Sequence, residues 1–194
     1  MHGRRPDGRD RDRLRRRDRG RAHPLRPAGV HAGSPAHQRV LQGTEGALTD
    51  EFVEVVNAGA QPLDLSGYRL VYRSAAGTSD VSLGTLPDGT ILAAGGFLLF
   101  GGSGYVGAHP ADRSFATSLA SAGGAVGLRD PSGALLDSVA WGTATNALVE
   151  GAAAVAPTIT AAPGKSAGRH PDGHDTNDNA ADFSEGDPTP RAPN

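Results

Sequence analysis

The densest collection of metal-ligating side chains in this 194-residue chain lies between residues 170 and 182. His170-Pro-Asp-Gly-His174 sets two imidazoles on either side of Asp172, donors that suit Zn2+ with Asp175 or Asp178 as a third ligand. The two histidines are at i and i+4, which converge on one face only in a helix, and Pro171 with Gly173 makes a turn instead. Solvent-facing imidazoles are therefore expected, and a metal-dependent hydrolase role for His170 and His174 is the lesser alternative. The overlapping run from Asp172 to Asp182 brings four carboxylates and two side-chain amides into 11 residues. Such hard oxygen donors suit calcium, which takes about 6–8 of them at irregular geometry. Asp172, Asp175, Asn177, Asp178, Asn179 and Asp182 are thus candidate calcium ligands. The competing reading is an Asx-rich turn in which these side chains bond nearby backbone N–H groups and let Phe183 enter the core. The structural turn is preferred, because a short acidic motif specifies an ion site weakly. No other cofactor is expected.

Three catalytic-looking motifs fail on their context. Gly102-Ser-Gly104-Tyr-Val-Gly107 fits G-x-G-x-x-G, but a dinucleotide site needs a helix facing the pyrophosphate, and Ala108-His-Pro110 interrupts one. Gly164-Lys-Ser166 resembles the end of a phosphate loop, yet Ile159 stands where its first Gly belongs. Ser103 lacks a G-x-S-x-G setting and an assignable His and acid. With no matched nucleophile, base and oxyanion donor, the chain is expected not to be an enzyme.

The elements that must carry these residues are strands. From residue 44 onward no run free of Gly and Pro exceeds 12 residues, which leaves little room for helices of ordinary length. Phe52 to Val56 has high β propensity, Asn57-Ala-Gly59 breaks it, and Tyr68, Leu70 and Tyr72 then alternate with Arg69, Val71 and Arg73. That alternation predicts an apolar, aromatic face and a largely basic one. Further short apolar runs cover Leu83, Ile91-Leu92, Phe97 to Phe100, Val126-Gly-Leu128 and Leu135 to Trp141. Asp130-Pro-Ser-Gly133 separates the last two, which predicts a hairpin with a type I or bulged turn. About seven or more short strands at this spacing point to an all-β, two-sheet sandwich.

The series Glu51-Phe-Val-Glu-Val-Val-Asn57 and Asp64-Leu-Ser-Gly-Tyr-Arg-Leu70 continues through Leu92 to Phe100, Gly124 to Asp130, Ala134 to Gly142 and Ser166 to Arg169. It closes on Asp178 to Phe183 and Thr189 to Asn194. In this order it resembles the lamin tail domain over residues 44–194. The resemblance implies an immunoglobulin-like β-sandwich and a non-catalytic binding or tethering module of a secreted or surface bacterial protein, of undefined ligand. A protein or an extracellular polymer is the implied kind of partner. Binding is expected in the long segments 101–122 and 143–164, although the second reads better as a crossover. Asp175-Thr-Asn-Asp-Asn179 also resembles the D-x-N-D-N of cadherin calcium linkers, with Glu45, Asp50 and Glu51 as the only distant acids on offer.

Residues 1–43 differ in kind. They hold 12 Arg and 4 Asp and no aromatic residue, whereas residues 44–194 hold 7 Lys or Arg and 17 Asp or Glu. The expectation is a disordered basic arm on an acidic domain, divided near Gly43. Such an arm gives a second function class, binding of nucleic acid or another anionic surface by charge neutralisation. The same composition is what a GC-rich frame yields out of register, so a wrong start or frameshift through about residue 42 would displace a signal peptide and a first strand. The reading predicts an unpaired sheet edge beside Phe52 to Val56. No leader-like apolar stretch and no membrane span are present, so an exterior location follows from the resemblance alone. The absence of Cys excludes disulfides and Cys-ligated metals.

Overall fold

The computed structural model describes residues 35–194. In chain order these form β1 (Pro35–Thr44), β2 (Ala47–Asn57), β3 (Leu63–Asp64), β4 (Arg69–Ser74), β5 (Val81–Thr85), β6 (Ile91–Leu92), β7 (Phe97–Gly101) and β8 (Arg113–Ser114). Then follow β9 (Gly123–Arg129), β10 (Leu135–Gly142), β11 (Ser166–Arg169), a single helical turn α1 (Asn179–Asp182) and β12 (Phe183–Gly186). A six-stranded sheet in the order β12-β11-β1-β2-β7-β8 faces a four-stranded sheet, β10-β9-β4-β5, and β3 pairs with β6 apart from both. This is the expected two-sheet sandwich.

Alternation along the strands fills the space between the sheets. Val40, Val53, Val55 and Phe100 meet Leu70, Tyr72, Val126, Val139 and Trp141 in one buried cluster. Trp141 is fully buried, and Tyr72 stacks on it with ring centroids 6.4 Å apart. Each aromatic has a polar atom to satisfy, and one residue serves both: the indole N–H donates to the Ala120 carbonyl at 2.9 Å, and the Ala120 N–H donates to the Tyr72 hydroxyl at 3.1 Å. The predicted hairpin joins β9 to β10. Gly133 N–H donates to the Asp130 carbonyl at 3.0 Å, and Gly133 takes the positive φ of 93° that only glycine adopts cheaply.

Two expectations need correction. The core begins before residue 43, because β1 takes Pro35–Thr44 and pairs antiparallel with β2 on one side and β11 on the other. Two aliphatic residues anchor it without any aromatic: Val40 enters the inter-sheet core, and Leu41 packs with Phe52 and Leu99 on the opposite face. Gly43 takes φ 97°, and a Cβ placed there would lie 2.7 Å from the Leu48 carbonyl oxygen, a collision that only glycine avoids. The unpaired edge beside Phe52 to Val56 therefore does not exist, since β2 lies between β1 and β7. The rest of the basic arm, and the nucleic-acid reading built on it, lie outside the described residues. If β1 belongs to the core, Val40→Ala lowers stability by about 2 kcal/mol in urea unfolding, the loss of two buried methyl groups plus a small cavity. A change within error would detach β1 from the core.

The second correction concerns the face of β4 predicted to be basic. Val71 on that face is buried with Ala140 and Leu148. Segment 143–164 returns across the four-stranded sheet and lays Ala144 and Leu148 over it, so it is the crossover expected and it buries Val71 between Arg69, which stays exposed, and the half-buried Arg73.

Candidate functional site

Arg169 ends β11 facing the other sheet, with no part of its side chain exposed to solvent. A buried guanidinium is tolerable only when charge and hydrogen bonds compensate it, and here carboxylates from three segments do so. Nη2 donates to Asp137 Oδ1 of β10 at 2.8 Å, which ties β11 of one sheet to the edge strand of the other. Nη1 donates to the His174 carbonyl at 2.9 Å and lies 3.3 Å from both Asp175 Oδ1 and Asp182 Oδ2. The guanidinium carbon sits 4.5 Å from the centroid of the Phe183 ring, so the cation also rests on an aromatic face.

Glu150, on the crossover, completes the acidic side. Its Oε1 accepts from the Ser138 N–H at 3.1 Å and the Ser138 hydroxyl at 3.0 Å, and its Oε2 accepts from Asn179 Nδ2 at 3.3 Å. Burial first, and then the negative charge of Asp137, push its pKa up to about 8, so the carboxyl holds its proton at neutral pH. Asn179 is fully buried beside the edge of β10. Its Oδ1 accepts from the Ala140 N–H at 3.0 Å and its Nδ2 donates to the Ser138 carbonyl at 2.9 Å. This side-chain amide thereby extends the pairing that Ala154 makes with Ala140 and Gly142, and the two together cover the edge of β10.

The residues predicted as calcium ligands are distributed through this architecture. Asp178 is the N-cap of α1 and accepts from the Ala180 N–H at 3.1 Å and the Ala152 N–H at 3.3 Å. Asp182 accepts from the Thr176 N–H at 2.8 Å and the Thr176 hydroxyl at 2.7 Å. Asp175 accepts from the Asn177 N–H at 2.8 Å, in an Asx turn that holds Asn177 at φ 58°. Asp172 accepts from the Asn194 N–H at 2.9 Å, anchoring the C-terminal residue. His170 and His174 both have exposed side chains, on the turn expected from Pro171 and Gly173; His174 N–H donates to the Pro171 carbonyl at 3.0 Å.

Among the described residues, the group whose ligand atoms converge is Asp137, Glu150 and Asp175, within 4.8 Å of one another. Only Asp175 belongs to the predicted set. Arg169 supplies the positive charge in their midst. A signal for two of the others was present in the chain: Asp137 interrupts the apolar run from Leu135 to Trp141, and between residues 131 and 190 the only Lys or Arg are Lys165 and Arg169. A buried strand acid needs a cation, and Lys165 is occupied by Asp187 at 2.6 Å on the surface. The glycine motif after β7 forms a turn, with Gly102 N–H donating to the Glu51 carbonyl at 2.7 Å and Tyr105 N–H to the Gly102 carbonyl at 3.1 Å.

The family model of the lamin tail domain matches residues 30–143. No curated protein matches the chain.

Proposed function

This chain belongs to the lamin tail domain family, and from that footing we propose that it is a non-catalytic binding or tethering module working at the cell exterior. The observation that carries the reading is the use made of its ionisable side chains. The carboxylates gathered around Arg169 accept from backbone, hydroxyl and guanidinium donors that hold the two sheets together. The same bonding supports Asp172 to Asp182 as a structural turn. Among the described residues no helix is long and apolar enough to cross a membrane.

The test is a screen of the purified chain against ester, phosphoester and glycoside substrates with Zn2+ or Ca2+ added, beside a calorimetric Ca2+ titration. We expect no saturable turnover and no saturating heat. Turnover that His170→Ala removes would establish the hydrolase alternative, and a Ca2+ heat that Asp178→Ala removes would make the turn an ion site.

A further inference from the structure

Residues 35–194 hold 8 Lys or Arg against 17 Asp or Glu, yet three of those cations share one surface. Thr85, Arg69, Arg129 and Leu135 stand in register across β5, β4, β9 and β10, and Arg73 follows on the same face of β4. Arg69 and Arg129 are thus direct cross-strand neighbours of like charge, a pairing that costs stability. A Cβ on Gly133 would lie 3.3 Å from Arg69 Nη2, and the Gly133 carbonyl accepts from Arg129 Nη1 at 3.0 Å. Both guanidinium groups therefore meet at the hairpin turn.

One carboxylate serves all three arginines. Asp80 Oδ1 accepts from Arg73 Nε at 2.6 Å, and its Oδ2 accepts from Arg129 Nε at 2.6 Å. Asp130, next to Arg129 in the chain, is held by its own turn, accepting from the Ser132 hydroxyl at 2.7 Å and the Ala134 N–H at 2.9 Å. Asp80 fixes two guanidinium planes through their Nε atoms and leaves outer nitrogens unused: both Nη of Arg73 and Nη2 of Arg129 make no bond among the described residues. None of these nitrogens is buried without a partner, so they face solvent. Arg73 opens onto a cleft of about 300 Å³ that Thr78 and Asn146 also wall. Arg69 is exposed and makes no hydrogen bond or ion pair among the described residues.

Resting on the binding-module reading, we propose that this face of the four-stranded sheet docks an acidic segment of a partner protein, whose Asp or Glu carboxylates are taken by the open guanidinium nitrogens of Arg69, Arg73 and Arg129. Planar forks held in place by Asp80 match a carboxylate with little ordering left to do. The exposed Thr85 and the half-buried Leu135, at the two ends of the row, meet a polar and an apolar neighbour of the acids. Residues 1–34 hold 11 Arg against 4 Asp, a composition that this face repels, so the occupant comes from another molecule. A long polyanion such as nucleic acid would also lie over the surrounding acids, whereas a short segment meets the arginines and is screened from the rest beyond about 8 Å.

The probe is a fluorescein-labelled peptide, Gly-Glu-Leu-Glu-Gly, titrated with the full chain by anisotropy, beside the same peptide with glutamine for glutamate. Saturable binding of the glutamate peptide below about 1 mM is expected, with the glutamine peptide weaker by about fivefold or more. Arg69→Gln, at a side chain without a bond in the fold, weakens the glutamate peptide by about threefold or more and leaves the glutamine peptide unchanged. Arg113→Gln removes the same charge from the other sheet and changes neither. Thermal unfolding of each variant separates these effects from misfolding. Equal binding of the two peptides, no saturation, or an Arg69→Gln variant that folds and binds like the parent would overturn the assignment, the last in favour of the Arg-rich residues 1–34. An oligothymidylate that binds tighter than the peptide and loses affinity in Arg69→Gln would overturn it in favour of nucleic acid. Concentration-dependent dimerisation that the same variant removes, without peptide binding, would overturn it in favour of a second copy. Turnover in the substrate screen would instead end the binding-module reading, so the two failures are distinguishable.

Discussion

Replacing Arg169 by Met destabilises the domain by about 3–5 kcal/mol, the range for breaking a buried ion pair by removing one partner. Methionine fills much of the volume and keeps the apolar contact with Phe183, so the loss is electrostatic and not a cavity effect. What remains are Asp137, Asp175 and Asp182 with side chains at most 8% exposed and no cation. Each then carries a buried charge that no cation compensates. Arg169→Lys falls between, because an ammonium restores charge but cannot reach Asp137 and the His174 carbonyl from two nitrogens at once. Urea unfolding at pH 7 measures this. If Arg169→Met lies within about 0.5 kcal/mol of the parent at pH 7, the cluster is not what joins the sheets.

The legible parts of this fold are those whose cause is local. Strand β2 shows in the β-branched residues and Phe at 52–56, and the β9–β10 hairpin in Asp130-Pro-Ser-Gly133, because turn chemistry and alternation operate within a few residues. Strand β1 escapes such reading because its two anchors, Val40 and Leu41, are adjacent and both buried on opposite faces. Their pattern is intelligible only once the Tyr105 loop is known to cover the outer face. Val71 misleads for the same reason, being itself covered by a crossover that begins some 70 residues later, where Asn146 Nδ2 donates to the Ser74 carbonyl at 2.9 Å. The candidate site is split similarly. The Asp172 to Asp182 turn is visible as an acidic cluster, but the cation that organises it is reached from Asp137 across 32 residues and two sheets. No periodicity encodes that pairing; the break that Asp137 makes in an apolar strand and the scarcity of basic residues between residues 131 and 190 hint at it.

The same cluster makes the stability of the domain fall between pH 7 and 8. Glu150 has an ordinary pKa of 4.5 and a folded value of about 8, raised first by burial and then by Asp137. Between those values the folded chain keeps a proton that the unfolded chain releases, so stability declines as pH rises and levels off once the folded carboxyl has ionised. Glu51, whose Oε1 accepts from the Leu119 N–H at 2.7 Å, is raised by burial to about 7 and adds a parallel decline that ends sooner. The opposite sense belongs to Asp80: burial pushes its pKa up, but the bonds and charges of Arg129 and Arg73 together outweigh that and hold it below the usual carboxylate range, so its contribution is lost only in acid as the folded carboxylate protonates. Stability should therefore peak in mildly acidic solution. From pH 7 to 8 Glu150 dominates, with a share of the decline of about 1 kcal/mol, and Glu51 adds a smaller part. Glu150→Gln keeps an oxygen to accept from Ser138 and has nothing to ionise, so it removes the larger part of that decline, leaves the smaller part due to Glu51, and is more stable than the parent at pH 8. Thermal or urea unfolding at pH 7.0 and 8.0 on both proteins decides the matter: a parent flat across the interval, or a Gln variant that declines as steeply, would place the Glu150 proton elsewhere.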